Sequence, residues 1–165
     1  MKILIVSDTH GNQERMKEII QKEKPFEVLV HAGDMEDSIG GVLGYTDYSI
    51  RIVSGNCDYG YGYPKEDFFR LGDKKVLLTH GYLCRGIHFN PLNGIEPLAD
   101  YARYRGADIL IYGHTHIPDI REMDGLMIIN PGSLSLPRQE NHKKSYAVLT
   151  IEEGKTSCEI RYIDE

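Results

Sequence analysis

The sequence predicts an α/β fold in which two packed mixed β-sheets are flanked by helices. The N-terminal part alternates apolar, strand-like runs with an amphipathic segment of helical period, which is typical of a βαβ unit. The C-terminal part instead has strand-like runs joined by the turn dipeptides Asp124-Gly125 and Glu153-Gly154, as in an antiparallel meander. The 165 residues are expected to form one domain, spanning 1–165, with a substantial buried core.

The N-terminal half carries a local signal for each of its elements. Asn12 is a preferred N-cap residue, and the apolar residues after it recur on one face of a helix that ends near Lys22. Short continuous apolar runs indicate buried strands. The elements expected here are a strand at 2–7, a helix at 12–22, a strand at 28–32, at most a short helix within 35–48, and a strand at 49–53.

The C-terminal half is predicted to begin with a β-hairpin, because Gly72-Asp73 separates two strand-like runs. Pro97 is tolerated in the first turn of the helix that comes later, and Gly106 suits its C-terminal end. The elements expected here are strands at 68–71 and 74–79, a surface loop at 82–94, a helix at 96–105, a strand that ends at Gly113, and a meander from 117 onward.

Composition restricts the classes of function. With 19 Lys and Arg against 25 Asp and Glu, the net charge of −6 argues against stable binding to nucleic acid. No apolar run is long enough to cross a bilayer, so no membrane partner is expected. The first strand begins too close to Met1 for a cleaved signal peptide, and the three cysteines form no Cys-x-x-Cys pair, which together favour the cytoplasm. A small phosphorylated substrate remains compatible with this charge, and a homo-oligomer is left open.

Side chains that can bind a metal ion follow five of the predicted strands. Each alone has an ordinary explanation in helix capping or turn chemistry, but turn chemistry does not account for all five together. The seven residues are Asp8, His10, Asp34, Asn56, His80, His114 and His116. Seven ligands are too many for one tetrahedral ion and suffice for two if a carboxylate bridges them. Imidazole, carboxylate and amide ligands without thiolates favour Mn, Fe, Ni, Co or Zn over Mg or Ca.

These residues lie in blocks that resemble a known family. The blocks are Asp8-x-His10, Gly33-Asp34, Gly55-Asn56-x-Asp58, His80, Gly113-His114-x-His116, and 130–133 followed by Arg138. In order and spacing they resemble those of the calcineurin-like metallophosphoesterase superfamily, and most closely its small single-domain phosphodiesterase branch. The resemblance covers nearly the whole chain and implies a pair of β-sheets sandwiched by helices.

The resemblance also implies a division of the ligands and a reaction. Asp8, His10, Asp34 and His116 would hold one ion, while Asp34, Asn56, His80 and His114 would hold the other, with Asp34 bridging. Mn or Ni are the first candidates for both ions, and Fe, Co and Zn are alternatives. The expected reaction is hydrolysis of a phosphate ester by in-line attack of a metal-bound hydroxide, without a phosphoenzyme intermediate.

One position departs from the wider family, which usually carries histidine between Asn56 and Asp58. That histidine is thought to assist the leaving group, and Cys57 is a poorer proton donor. Esters with acidic leaving groups are therefore expected to react best, and Cys57 is either a weak acid or a small buried residue beside the site. The candidate catalytic residues are Asn56, Cys57, Asp58 and His80, with Asp58 alternatively a partner of a ligand. Asn56 and Arg138 are the candidate substrate-binding residues, with an exposed salt bridge as the alternative for Arg138.

Three further features near these blocks have structural interpretations as well as functional ones. His31 lies inside an apolar strand and is expected to be a hydrogen-bonded core histidine. His88 is close enough to His80 in the chain to reach a substrate. The tyrosines of the stretch 59–64 are spaced by glycines, which favours a surface loop over a platform that stacks on a nucleoside or aryl group.

The sequence therefore favours a metal-dependent phosphodiesterase that acts on a small phosphate ester. A phosphomonoesterase or a nuclease with the same site is the alternative within the enzymes. A non-catalytic scaffold is the alternative outside them, because the small subunit of the retromer coat resembles this fold.

Overall fold

The computed structural model describes residues 1–163. Within that range, the chain forms two five-stranded sheets, a two-stranded hairpin and three α-helices. The elements are β1 (Lys2–Val6), α1 (Gln13–Glu23), β2 (Val28–His31), α2 (Ile39–Leu43), β3 (Ser49–Ile52), β4 (Glu66–Leu71), β5 (Lys74–Thr79), β6 (Leu83–Cys84), β7 (Ile87–His88), a 3-10 turn (Pro91–Asn93), α3 (Glu96–Tyr104), β8 (Ile109–Ile111), β9 (Asp119–Met123), β10 (Leu126–Asn130), β11 (Ser145–Glu152) and β12 (Lys155–Tyr162).

Both five-stranded sheets are mixed, which confirms the predicted fold class. The first sheet has the order β12-β11-β1-β2-β3, in which β1, β2 and β3 are parallel, β11 is antiparallel to β1, and β12 is antiparallel to β11. The second has the order β4-β5-β8-β10-β9, with β5, β8 and β10 parallel between antiparallel edge strands. Parallel strands end on the same side of their sheet, so the loops that follow them lie next to one another.

The core follows from the alternation of side chains along each strand. In β1, Ile3 and Ile5 face the second sheet, whereas Leu4 and Val6 face α1. In the second sheet, Leu77 of β5 packs beneath α3. The layers are therefore helix, sheet, sheet and helix, and the central strands β1, β2 and β8 are buried on both faces. Each aliphatic side chain buried in this way stabilises the fold by about 1.5–3 kcal/mol.

The two longer helices form where the sequence predicts them. The side chain of Asn12 accepts a hydrogen bond from the backbone N–H of Arg15 at 3.4 Å, as an N-cap does. Pro97 lies in the first turn of α3, and Gly106 follows that helix with φ of +77°. Among residues 1–163, no helix is long and apolar enough to span a bilayer.

The prediction of a surface loop at 82–94 is wrong in part. The segment contains the hairpin of β6 and β7 and a 3-10 turn. Two-residue strands are too short to show a period of two, which explains why the pattern missed them. The turn at Arg85 and Gly86 has positive φ at both residues, +45° and +81°, which matches the twist of a tight hairpin.

Candidate metal centre

The loops after β1, β2, β3, β5 and β8 meet at one edge of the two sheets. Backbone hydrogen bonds hold these loops together. The N–H of Asp8 donates to the carbonyl of Gly33 at 3.0 Å, and the N–H of Gly113 donates to the carbonyl of His80 at 3.2 Å. This arrangement brings all seven sequence-predicted ligands into one cluster, with contributions from both sheets.

The first group of ligand atoms, which we call half-site A, consists of Asp8, His10, Asp34 and His116. Nε2 of His116 lies 3.1 Å from Oδ1 of Asp8 and 3.3 Å from Nε2 of His10. Nε2 of His10 lies 3.9 Å from Oδ2 of Asp34. Two imidazoles and two carboxylates therefore point at a common centre.

The second group, half-site B, consists of Asp34, Asn56, His80 and His114. Nε2 of His80 lies 3.3 Å from Oδ2 of Asp34 and 3.1 Å from Oδ1 of Asn56. Nδ1 of His114 lies 2.9 Å from that amide oxygen and 3.3 Å from Nε2 of His80. Oδ2 of Asp34 therefore lies near imidazole nitrogens of both half-sites, and Oδ1 of Asp8 also lies 3.9 Å from Nε2 of His80.

The hydrogen bond at the outer nitrogen of each histidine ring determines whether the inner nitrogen carries a proton or a free lone pair. His10, His80 and His116 each place Nδ1 on an acceptor, so in the neutral ring Nε2 carries no proton. The three acceptors are the Glu36 carboxylate at 2.5 Å, the Ala32 carbonyl at 2.8 Å and the Leu136 carbonyl at 2.7 Å.

The cluster consequently contains acceptors that lack donors. Oδ1 of Asp8 is buried and receives no hydrogen bond from any residue in the range 1–163. Its nearest neighbours in half-site A are the two inward-facing imidazole nitrogens. A buried, unpaired carboxylate oxygen is costly unless a cation or donor approaches it. The donor set therefore fits divalent ions of the borderline type that accept both nitrogen and oxygen.

The electrostatics of the cluster reflect these close contacts. Burial would raise the pKa of Asp8 and of Asp34, but the neighbouring imidazoles outweigh burial and hold the pKa of each carboxyl below its usual value. Burial would lower the pKa of His80, yet the contact with Asp34 and the charge of Asp8 raise it. Burial and the charge of His80 lower the pKa of His114. Both carboxylates are therefore held ionised, which is the form that binds a metal ion.

Unusual backbone geometry is concentrated at this edge of the sheets. Of the nine non-glycine residues with φ in the left-handed region among residues 1–163, six lie at this edge, and five of those six are predicted ligands. They are Asp8 (+52°), His10 (+43°), Asp34 (+54°), Glu36 (+60°), His114 (+67°) and His116 (+60°). Each such residue costs about 1–2 kcal/mol in backbone energy, and strain of this kind is typical of functional sites.

Asp58 and Cys57 do not belong to either half-site but contact the loops that carry the ligands. Oδ2 of Asp58 accepts hydrogen bonds from the backbone N–H groups of Asp34 and Gly55, both at 2.8 Å, and its Oδ1 accepts from that of Glu36 at 2.6 Å. Asp58 thus fixes the loops that carry the ligands. Burial, together with the charge of Asp34, raises the pKa of the Cys57 thiol to about 11.

Arg138 and two further histidines surround the cluster. The backbone N–H of Arg138 donates to the carbonyl of His116 at 3.2 Å, and no carboxylate within residues 1–163 forms an ion pair with its exposed guanidinium. His31 is buried, accepts a hydrogen bond from the backbone N–H of Gly33 at 3.2 Å, and has Nε2 on the Thr9 hydroxyl at 3.1 Å. This confirms it as a core histidine. His88 lies on β7, outside the two half-sites.

Sequence reasoning missed the groups that hold the imidazole rings. Two of them are backbone carbonyls, which carry no side-chain signal. The third is Glu36, and its only signal is a carboxylate two residues after Asp34 in an acidic stretch.

Comparisons with known proteins agree with this geometry. Residues 1–154 match the calcineurin-like phosphoesterase superfamily domain. The chain is 34% identical over 167 residues to the probable metallophosphoesterase YsnB of Bacillus subtilis, with 100% of this chain and 92% of that protein covered. It is 25% identical to the phosphodiesterase YfcE of Escherichia coli K12, covering 90% of this chain and 87% of that protein.

A comparison with solved structures also identifies a phosphoesterase fold. A crystal structure of a predicted phosphoesterase from Streptococcus pneumoniae TIGR4 superposes with a TM-score of 0.82 at 28% identity, covering 98% of this chain and 88% of that chain. The comparisons confirm the predicted enzyme class, a metal-dependent phosphoric ester hydrolase. The chain belongs to the calcineurin-like phosphoesterase superfamily.

Proposed function

We propose that the protein is a dinuclear-metal-dependent phosphodiesterase that hydrolyses a small phosphate ester. The observation that carries this proposal is the sharing of Oδ2 of Asp34 between two groups of ligand atoms. One ion would be held by half-site A and the other by half-site B, with Asp34 as the bridge. Mn or Ni are the preferred ions, and Fe, Co and Zn are alternatives. A bound pair of such ions supplies Lewis acidity and lowers the pKa of water.

The residues around the ions would bind and orient the ester. Nδ2 of Asn56 and the guanidinium of Arg138 are the donors that we assign to the phosphate oxygens, since Arg138 is exposed and has no carboxylate partner within residues 1–163. His80 would hold its ion through Nε2, while the Ala32 carbonyl fixes its ring. Asp58 would keep the loops of Asp34 and Asn56 in place.

The chemistry at Cys57 sets the preferred substrates. A thiol with a raised pKa is a weak proton donor for a departing alkoxide. Diesters with acidic leaving groups should therefore react faster than monoesters or unactivated esters. The net charge of −6 disfavours a nuclease that tracks along a polyanion. The same charge and the three cysteines, which form no Cys-x-x-Cys pair, accord with action on a small molecule in the cytoplasm.

The proposal is tested with bis(p-nitrophenyl) phosphate and p-nitrophenyl phosphate as a matched diester and monoester. Metal-free protein should be inactive, added Mn²⁺ or Ni²⁺ should restore hydrolysis of the diester above that of the monoester, and a chelator should abolish it. Asp34→Asn should lower kcat by about a thousandfold or more, because it weakens the shared ligand of both ions. Asp37→Asn changes the same charge three residues away and serves as the control. Turnover that persists without metal would contradict the proposal.

A scaffold of the same fold is the second candidate. Metal analysis of protein purified without chelator separates the two, because a scaffold has no need of two bound ions. Purified protein with no bound metal and no activity on either ester would favour the scaffold. Light scattering coupled to size exclusion would determine whether the protein forms a homo-oligomer.

A further inference from the structure

Glu36 contacts the ring of a predicted metal ligand. Oε1 of Glu36 lies 2.5 Å from Nδ1 of His10, on the side of the ring that faces away from half-site A. The outer nitrogens of His80 and His116 are held by backbone carbonyls, which no substitution removes. His10 is therefore the ligand in this set of three whose ring orientation depends on another side chain.

The backbone N–H and the backbone carbonyl of Glu36 each form a hydrogen bond to a side chain. Its N–H donates to Oδ1 of Asp58 at 2.6 Å, and its carbonyl accepts from the hydroxyl of Tyr61 at 3.0 Å. Between these contacts Glu36 has φ of +60°, a conformation that glutamate rarely adopts. The two contacts thus hold the residue in a strained conformation that directs its carboxylate at His10.

The position of His10 explains why this contact matters. The His10 side chain is 16% exposed, whereas that of His116 is 4% exposed and those of Asp8 and Asp34 are at most 3% exposed. Packing therefore restricts His10 less than its neighbours in half-site A. Without an acceptor at Nδ1, its ring could rotate toward solvent or adopt the other tautomer.

We propose that Glu36 is a positioning residue that fixes the ring and tautomer of His10 and thereby sets the metal affinity of half-site A independently of half-site B. Asp58 and Tyr61 act with it by holding its backbone. Outer carboxylates that orient a ligating histidine typically contribute about 10–100-fold in metal affinity. The inference rests on the proposed function, since it takes half-site A to be a metal site.

The test measures Mn²⁺ binding to metal-free protein by electron paramagnetic resonance, which reports free Mn²⁺ directly. Wild-type protein should bind two ions. Glu36→Ala should weaken one of the two binding steps by about 10–100-fold and leave the other within about twofold. Glu36→Asp keeps the charge but shortens the side chain by one methylene, so it should resemble Glu36→Ala. Asp37→Ala, which removes the neighbouring carboxylate, should leave both steps unchanged.

A second measurement does not depend on metal. In ¹⁵N-labelled, metal-free protein, the Nδ1 proton of His10 should be visible by NMR in wild type and absent in Glu36→Ala, while the remaining spectrum shows that the variant is folded. Glu36→Gln retains an acceptor oxygen and should keep the proton signal.

The outcomes separate this inference from the proposed function. Wild-type protein that binds fewer than two ions would overturn both. If wild type binds two ions and Glu36→Ala binds them equally well, the positioning role is wrong and the dinuclear site stands. Full affinity in Glu36→Asp would also overturn the role, because nearby charge alone would then account for the effect.

Discussion

Nε2 of His10 and Nε2 of His116 lie 3.3 Å apart, and the outer nitrogen of each ring is held by an acceptor. When both rings are neutral, two lone pairs therefore face each other, and Oδ1 of Asp8 lies beside them without a hydrogen bond from residues 1–163. Such a contact is repulsive until a cation lies between the atoms. Half-site A should therefore respond most strongly to the presence or absence of metal.

Metal removal should lower the thermal stability of the protein. An ion present at about 100 times its Kd adds about 2.7 kcal/mol to the free energy of unfolding. For a chain of this size that corresponds to a rise in Tm of about 5–10 °C. Calorimetry of protein with chelator and with excess Mn²⁺ measures the difference, and magnesium at the same concentration is the control. Equal Tm values in all three samples would contradict ion binding to the folded state.

Replacing His114 or His116 should affect different ions. Nδ1 of His114 lies in half-site B, whereas Nε2 of His116 lies in half-site A. His114→Ala and His116→Ala should each reduce the metal content from two ions to about one, and each should retain the binding step that the other loses. Loss of both ions from each single variant would show that the half-sites do not bind independently. His88→Ala, outside the cluster, is the control.

Cys57→His should improve hydrolysis of esters with poor leaving groups. An imidazole can donate a proton near neutral pH, whereas the Cys57 thiol, with its pKa raised to about 11, is a poor donor. The measurement is kcat/KM for a series of aryl phosphodiesters of increasing leaving-group pKa. Wild type should show a steep dependence and Cys57→His a shallower one. Cys57→Ser should keep the steep slope, and equal slopes for all three proteins would exclude any role of this position in leaving-group departure.

Stability at low pH should depend on Glu23, which ends α1. Its side chain is 2% exposed, accepts from the Tyr146 hydroxyl at 2.6 Å and pairs with Lys2 and Arg161. Although burial opposes ionisation, these partners lower the pKa of Glu23 to about 2. The stabilisation is therefore complete above the unfolded pKa, about 4.3, and is lost as the pH falls toward 2.

Glu23→Gln should lower the free energy of unfolding by about 3 kcal/mol at neutral pH, because it removes the buried carboxylate that the Tyr146 hydroxyl and the partly exposed Lys2 and Arg161 hold ionised. The deficit should shrink below about pH 4.3 and disappear near pH 2. Urea denaturation at several pH values measures it. Glu14→Gln removes an exposed ion pair with Lys17 and should change stability by less than about 1 kcal/mol. A deficit that is the same at pH 3 as at pH 7 would contradict the assigned pKa.

Much of the fold and the membership of the cluster could be predicted from the sequence. Buried parallel strands end on one side of a sheet, so polar residues placed after β1 and β2 had to approach one another, as did those placed after β5 and β8. Separation of His114 and His116 between two ions was also expected from the family resemblance, with the two side chains diverging after Gly113. The structure places these histidines in different half-sites.

Other features have no counterpart in a hydrophobic pattern. β6 and β7 have two residues each, which is too short to show the alternation of apolar and polar residues, so the sequence predicts a loop at 82–94. Glu36 reaches His10 only because its backbone turns into the left-handed region, and that turn is imposed by Asp58 and Tyr61 from distant parts of the chain. Local sequence does not encode such contacts, since they arise only once the strands are paired.

The left-handed backbone at five predicted ligands has an evolutionary consequence. Glycine or asparagine would relieve the strain at Asp8, His10 or His116 and would therefore make the folded chain more stable in the absence of metal. Selection for stability alone would erode the ligands, and a descendant freed from catalysis could keep the fold while losing the site. A chain that places a metal-competent side chain at each of these positions therefore carries backbone strain that the fold alone does not require.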